Sequence, residues 1–262
     1  MQKSVVLLCL HGWGGSKESF TELREALKGT ELTILTPDLP GFGEAGDPPR
    51  PWTNDDYADW VETWLAKQLS IINGSAPLTT SYQLSILGHS HGGRIAIKLA
   101  QRAVSLRIDH LYLCAAAGIP HPPTFKERMG FIAAKTGKTL LSVPGLRSIQ
   151  PFARKILYKI LSVHDYERAS PVMKETLRLV TDEDLTPLLS HINVPTDIFW
   201  GTADTQTPIS DAHVMHETIK GSALHLFPGL RHRIHRDRAT EIAAVIRSNI
   251  KTHASVVLRP SS

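Results

Sequence analysis

Leu84-Ser85-Ile86-Leu87-Gly88-His89-Ser90-His91-Gly92-Gly93-Arg94-Ile95-Ala96-Ile97 is the stretch from which the fold can be read. An apolar run of β-forming residues reaches Gly88, and beyond Gly92-Gly93 the apolar residues Ile95, Ala96 and Leu99 fall at helical spacing. Ser90 is therefore expected on a strand-to-helix corner. The flanking glycines leave room for a tight, strained turn that exposes the hydroxyl, and the start of the following helix offers backbone N–H groups to a negative charge. Gly-x-Ser-x-Gly in this setting is a nucleophile pattern. The plainer alternative is a glycine-rich turn with a solvated serine, so the rest of the chain must supply a base, an acid and an oxyanion site.

Outward from this corner, strand and helix patterns alternate. Val5 to Leu10 reads as a strand buried on both faces and runs into His11-Gly12-Trp13-Gly14-Gly15. That turn lets the backbone approach a ligand, with the N–H of Trp13 as an oxyanion donor. Leu32 to Thr36 is a second strand, followed by Pro37 to Gly43, where Asp38 is read as turn-stabilising. A helix with Tyr57, Trp60, Val61, Trp64 and Leu65 on its apolar face comes next. Ile108 to Cys114, Val194 to Gly201 and Ala223 to Phe227 complete the strands, and a last helix spans about 237 to 251. Such alternation is the signature of right-handed βαβ units and a parallel, doubly wound sheet.

Three strand exits carry matching chemistry. Serine is a poor nucleophile until an imidazole takes its proton, and that imidazole needs a carboxylate to fix its tautomer and stabilise its charge. Ser90 follows one strand, Asp204 follows Trp200-Gly201, and His232 follows the final strand, in the order Ser, Asp, His. His235 is the rival base, with His225 a poorer one inside a strand. Asp211 and the Asp182-Glu183-Asp184 group are the rival acids. His91 is assigned only its backbone N–H.

These motifs together resemble the α/β-hydrolase superfamily over most of the chain. His11 to Gly15 looks like its oxyanion loop, Gly88 to Gly93 like its nucleophile elbow, Trp200 to Asp204 like its acid loop and Gly229 to His232 like its histidine loop. The resemblance implies Ser90 as nucleophile, Asp204 as acid, His232 as base, and the N–H groups of Trp13 and His91 as the oxyanion hole. It further implies a mainly parallel α/β sheet with a helical lid. Two features depart from the pattern: the first strand starts almost at Met1, so an N-terminal hairpin is expected to be missing, and Arg231 precedes His232 where a small residue is usual.

The expected organisation is a core of residues 1–118 and 191–253, a helical lid over 119–190, and a tail over 254–262. In the lid, Lys126, Arg128, Arg154, Lys155 and other basic residues interleave with apolar ones. Ordinary solvation is the first reading of that basic face, and a grip on acyl carrier, CoA or an anionic surface is the alternative. A formal charge of +4 on 262 residues is too small an excess to imply nucleic acid. Cys9 and Cys114 lie in apolar runs, which favours buried thiols over a disulfide. The N-terminal apolar run is short and lacks a cleavage site, and no run reaches membrane length, so a cytoplasmic protein is expected. No metal-ligand spacing or dinucleotide pattern occurs, and no cofactor is expected.

The function these residues point to is a serine hydrolase cleaving small-molecule carboxylic esters through an acyl-enzyme. Carbon–carbon bond hydrolases, acyltransferases, perhydrolases and aminopeptidases share the same triad and stay open. A hydrolase-like receptor or scaffold without turnover is the alternative from another class.

Overall fold

The computed structural model describes residues 4–73, 82–102, 106–121 and 169–257. Six strands, β1 (Ser4–Leu10), β2 (Leu32–Leu35), β3 (Tyr82–His89), β4 (Ile108–Cys114), β5 (Thr196–Gly201) and β6 (Ala223–Phe227), form one sheet in the order β2-β1-β3-β4-β5-β6. Every strand pair among the described residues is parallel. Val6 to Leu10 are wholly buried, as are Ile86, Leu87 and Leu111 to Cys114, because helices cover both faces of the sheet.

The helices follow from the handedness of parallel crossovers. The connection from β1 to β2, which carries α1 (Thr21–Ala26), runs one way along the sheet. The connections carrying α2 (Asn54–Asn73) and α3 (His91–Arg102) run the other way. Right-handed crossovers then put α1 on one face and α2 with α3 on the opposite face. Accordingly α2 packs on α3, while α1 packs on the closing helix, Ala239–Val257. The direction reverses at β1, which lies between β2 and β3. The crevice beyond the C-terminal ends of β1 and β3 is therefore the switch point at which doubly wound sheets bind ligands.

After β4 the described chain resumes at residue 169 with α4 (Pro171–Asp182), capped by the Ser170 hydroxyl accepting from Met173 N–H, and the short α5 (Thr186–Leu189). Among the described residues the expected lid contributes these two helices, and its basic residues from Lys126 to Arg168 fall outside them. Beyond β5 come α6 (Ile209–Thr218), the one-turn α7 (Ile234–Asp237) and α8 (Ala239–Val257). The last helix runs past the expected end near 251: with no Pro or Gly between Ala239 and Val257, α8 continues to Val257, and the β-branched pair Val256-Val257 costs a helix only about a few tenths of a kcal/mol per residue. No described helix is long and apolar enough to cross a membrane.

Candidate active site

Ser90 is the sole residue between β3 and α3, and its φ is 51°. A left-handed serine is strained, and three neighbours hold it there. Its N–H donates to the Cys114 carbonyl (3.3 Å), and its own carbonyl accepts from the N–H groups of Gly93 (2.9 Å) and Ala117 (3.0 Å). The loop after β4 thereby clips the corner shut. Close approach fixes Gly92: a Cβ there would lie 2.0 Å from the Leu10 carbonyl oxygen, so only glycine lets α3 start against the end of β1.

The turn after β1 leans on the same corner. A Cβ on Gly12 would sit 3.1 Å from Ser90 Cβ and 2.9 Å from His89 Nδ1, so the next peptide unit, bearing the Trp13 N–H, runs beside the serine. His11 anchors this turn by accepting the Leu39 N–H at Nε2 (3.0 Å). The Trp13 ring packs edge-on against Phe42 and His91. His91 is the first residue of α3, so its N–H has no helical partner. Its ring is buried among Trp13, Phe42 and Tyr57, and burial pushes its pKa down to about 3.

Across the strand ends, His232 Nδ1 lies 2.8 Å from Asp204 Oδ2. Asp204 also accepts from Gln206 N–H (2.8 Å) and Thr207 N–H (3.2 Å) at Oδ1, and from the Thr207 hydroxyl (2.9 Å) at Oδ2. Burial opposes ionisation of this carboxyl, but the bond to His232 and those from Gln206 and Thr207 outweigh it and hold it below the usual carboxylate range. With Nδ1 engaged by the acid, Nε2 is the nitrogen of His232 left for proton transfer. No hydrogen bond joins it to Ser90 among the described residues; such contacts commonly tighten when substrate is bound.

The rival residues have other partners. The His235 ring lies against that of His89, tilted by 38° with centroids 3.8 Å apart, and burial pushes its pKa down to about 3. His225 bonds Asp197 instead. Asp211 pairs with His121 (2.7 Å), Asp182 with Arg178 (2.9 Å), Glu183 with Lys98, and Asp184 accepts the Thr186 N–H. Asp38 accepts the N–H groups of Lys17 and Glu44, a turn-stabilising role.

Sequence reading missed two supports. Thr207, besides its bonds to Asp204, places its hydroxyl 3.3 Å from His232 Nδ1 and 3.3 Å from the Ala115 carbonyl. His89 Nε2 donates to the His232 carbonyl (2.9 Å), tying the histidine loop to the residue before Ser90. The first could be suspected from a hydroxyl residue three positions after an acid in a turn; the second depends on a contact between distant loops and leaves no local signal.

A strained serine at a strand-to-helix corner, an imidazole–carboxylate couple across the sheet ends and a parallel doubly wound sheet define a protein of the hydrolase class. The chain belongs to the alpha/beta hydrolase family, whose model matches residues 6–245. It is 29% identical over 210 residues to Lipase 3 of Moraxella sp., covering 76% of this chain and 62% of that protein. It is 27% identical over 254 residues to a pimeloyl-[acyl-carrier protein] methyl ester esterase of Neisseria meningitidis, covering 92% of each. In fold it is similar to an esterase from Exiguobacterium antarcticum, with a TM-score of 0.69 at 22% identity, covering 96% of this chain and 93% of that one.

Proposed function

We propose that the chain is a carboxylic ester hydrolase working through an acyl-enzyme on Ser90, His232 and Asp204. The observation that carries the reading is the left-handed Ser90 on the cavity wall, in a molecule whose His232 is tied through Nδ1 to a buried carboxylate. In the proposed reaction Ser90 Oγ attacks the ester carbonyl carbon as His232 Nε2 takes its proton. The N–H groups of Trp13 and His91 receive the oxyanion, and Asp204 stabilises the imidazolium. His232 returns the proton to the departing alcohol. Water, deprotonated by the same nitrogen, then releases the acid and regenerates Ser90.

Carboxylic esters rank before the carbon–carbon, acyl-transfer and peptide alternatives because relatives of this chain are named lipase and methyl ester esterase. Residues 119–190 are proposed as the lid over the site. The name of the Neisseria relative favours an acyl carrier among the partners of its basic face. Neutralising Arg154 and Lys155 should weaken binding of acyl carrier protein; unchanged affinity removes that partner. Purified protein should hydrolyse short p-nitrophenyl esters and lose this on treatment with a fluorophosphonate. Absence of both turnover and labelling overturns the reading in favour of a non-catalytic receptor or scaffold.

A further inference from the structure

The cavity that exposes Ser90 is also lined by Arg94, one helical turn along α3. Arg94 is only 6% exposed, and burying a guanidinium costs several kcal/mol unless a counter-charge and hydrogen bonds offset it. The more exposed Arg24, Arg50, Arg102, Arg178 and Arg236 all meet carboxylates. Arg94 meets only main-chain carbonyls, that of Glu183 at 2.9 Å and that of Thr181 at 3.5 Å, and has no carboxylate at ion-pair distance among the described residues.

The acids whose charge reaches it are committed elsewhere. Glu183 pairs with Lys98 and accepts from Asn54, and Asp184 accepts the Thr186 N–H. Asp211, which lines the same cavity, holds His121 at 2.7 Å and Ser210 at 3.3 Å, and burial pushes its carboxyl up toward the neutral form. Among the described residues, the cavity beside the serine thus holds a five-donor cation that uses two donors on carbonyls and meets no carboxylate at ion-pair distance. A carboxylate matches that fork in charge and in geometry.

We infer that Arg94 recognises a carboxylate carried by the substrate, so that the preferred esters are half-esters of dicarboxylic acids, with the free acid against Arg94 while the ester carbonyl meets Ser90. The inference rests on the ester-hydrolase reading above and adds the class of ester. It also gives the buried guanidinium a counter-charge that no described residue supplies at ion-pair distance.

The test compares kcat/KM by pH-stat for the methyl half-esters of succinic, glutaric and adipic acid with that for the corresponding methyl ester monoamides, which keep the shape and lose the charge. At least one half-ester should be preferred by about tenfold or more, the worth of one charge-assisted bond. In Arg94→Gln that ratio should collapse toward one, and in Arg94→Lys it should survive in part. Equal rates for charged and neutral esters at all three lengths overturn the inference, as does a preference that persists in Arg94→Gln. Because Arg94 also ties α3 to the end of α4, folding of the variants is checked by thermal melting. Should they not fold, wild-type hydrolysis of a p-nitrophenyl ester decides: inhibition by the free diacids and not by their diamides supports the role, and equal effects of the two contradict it. A protein inert toward half-esters, neutral esters and p-nitrophenyl esters alike fails the ester-hydrolase reading itself, whereas turnover without charge preference fails only the role of Arg94.

Discussion

The sheet carries buried imidazole–carboxylate couples at both of its ends, and they differ in everything except the contact. At the C-terminal end His232 meets Asp204 at 2.8 Å; toward the N-terminal end Asp197 holds His110 at 2.8 Å and His225 at 2.5 Å. The first couple sits on loops beyond β5 and β6, past the strand ends, where the His89 side chain ties the His232 loop to the corner that carries the strained serine. The second is built from side chains within β4, β5 and β6 and is braced by Asn249 of α8 (2.9 Å). A histidine against an aspartate is therefore not a site. What sets the proposed site apart is its position past the strand ends and the bond from His89 that ties it to the corner carrying the left-handed Ser90.

This contrast can be broken by substitution. Ser90→Ala should lower kcat on p-nitrophenyl butyrate by about 10⁴-fold or more, to the level that binding and oxyanion donors alone support. Asp204→Asn should lower it by about 10³- to 10⁴-fold with the fold intact, since the amide no longer holds His232 in the required tautomer. At the other end Asp197→Asn should leave kcat within about threefold while costing about 3 kcal/mol of stability by urea unfolding, the cost of removing a buried carboxylate that three side chains hydrogen-bond. Activity lost in Asp197→Asn without lost stability would erase the distinction between the two ends.

Two smaller effects sharpen it. Thr207→Val keeps the shape of the side chain and removes a hydroxyl from Asp204 and His232, so kcat should fall about five- to tenfold with KM unchanged, the worth of one hydrogen bond. For Asp197, burial opposes ionisation, but hydrogen bonds from His110, His225 and Asn249 prevail and hold its carboxyl far below the ordinary value. A depressed folded-state pKa gives stability that is present above the unfolded-state value of about 3.9 and is lost as pH falls from there through the folded value. Urea midpoints should therefore drop more steeply below about pH 4 in the wild type than in Asp197→Asn, where that proton-linked contribution is gone.

Much of this was legible in the sequence, because parallel strands covered on both faces must be apolar runs and must end where the chain turns. Ile108–Cys114 and Ala223–Phe227 have the bounds their composition predicts, and Ser90, Asp204 and His232 each stand just past such a run. The N-terminal end was not legible. His225 reads as a lone polar residue in a strand, and it acquires meaning only from the register that sets Phe199 opposite it and Asp197 opposite Ala223. Arg94 carries no signal of its own in the sequence; that it meets main-chain carbonyls and, among the described residues, no carboxylate at ion-pair distance shows only once α4 and Glu183 fold over it. The end of the closing helix, expected near 251, was also not legible, since no Pro or Gly marks where it stops and it runs on to Val257.

The central claim, that the strained corner and the His232–Asp204 couple act on one hydroxyl, is tested most directly by intact-mass spectrometry and peptide mapping after brief exposure to a fluorophosphonate. The account predicts one adduct, on Ser90, formed rapidly in the wild type and in Asp197→Asn, and formed at least about 10³-fold more slowly in His232→Ala and Asp204→Asn. Labelling at another residue, or labelling of Ser90 at the same rate with His232 removed, would contradict it.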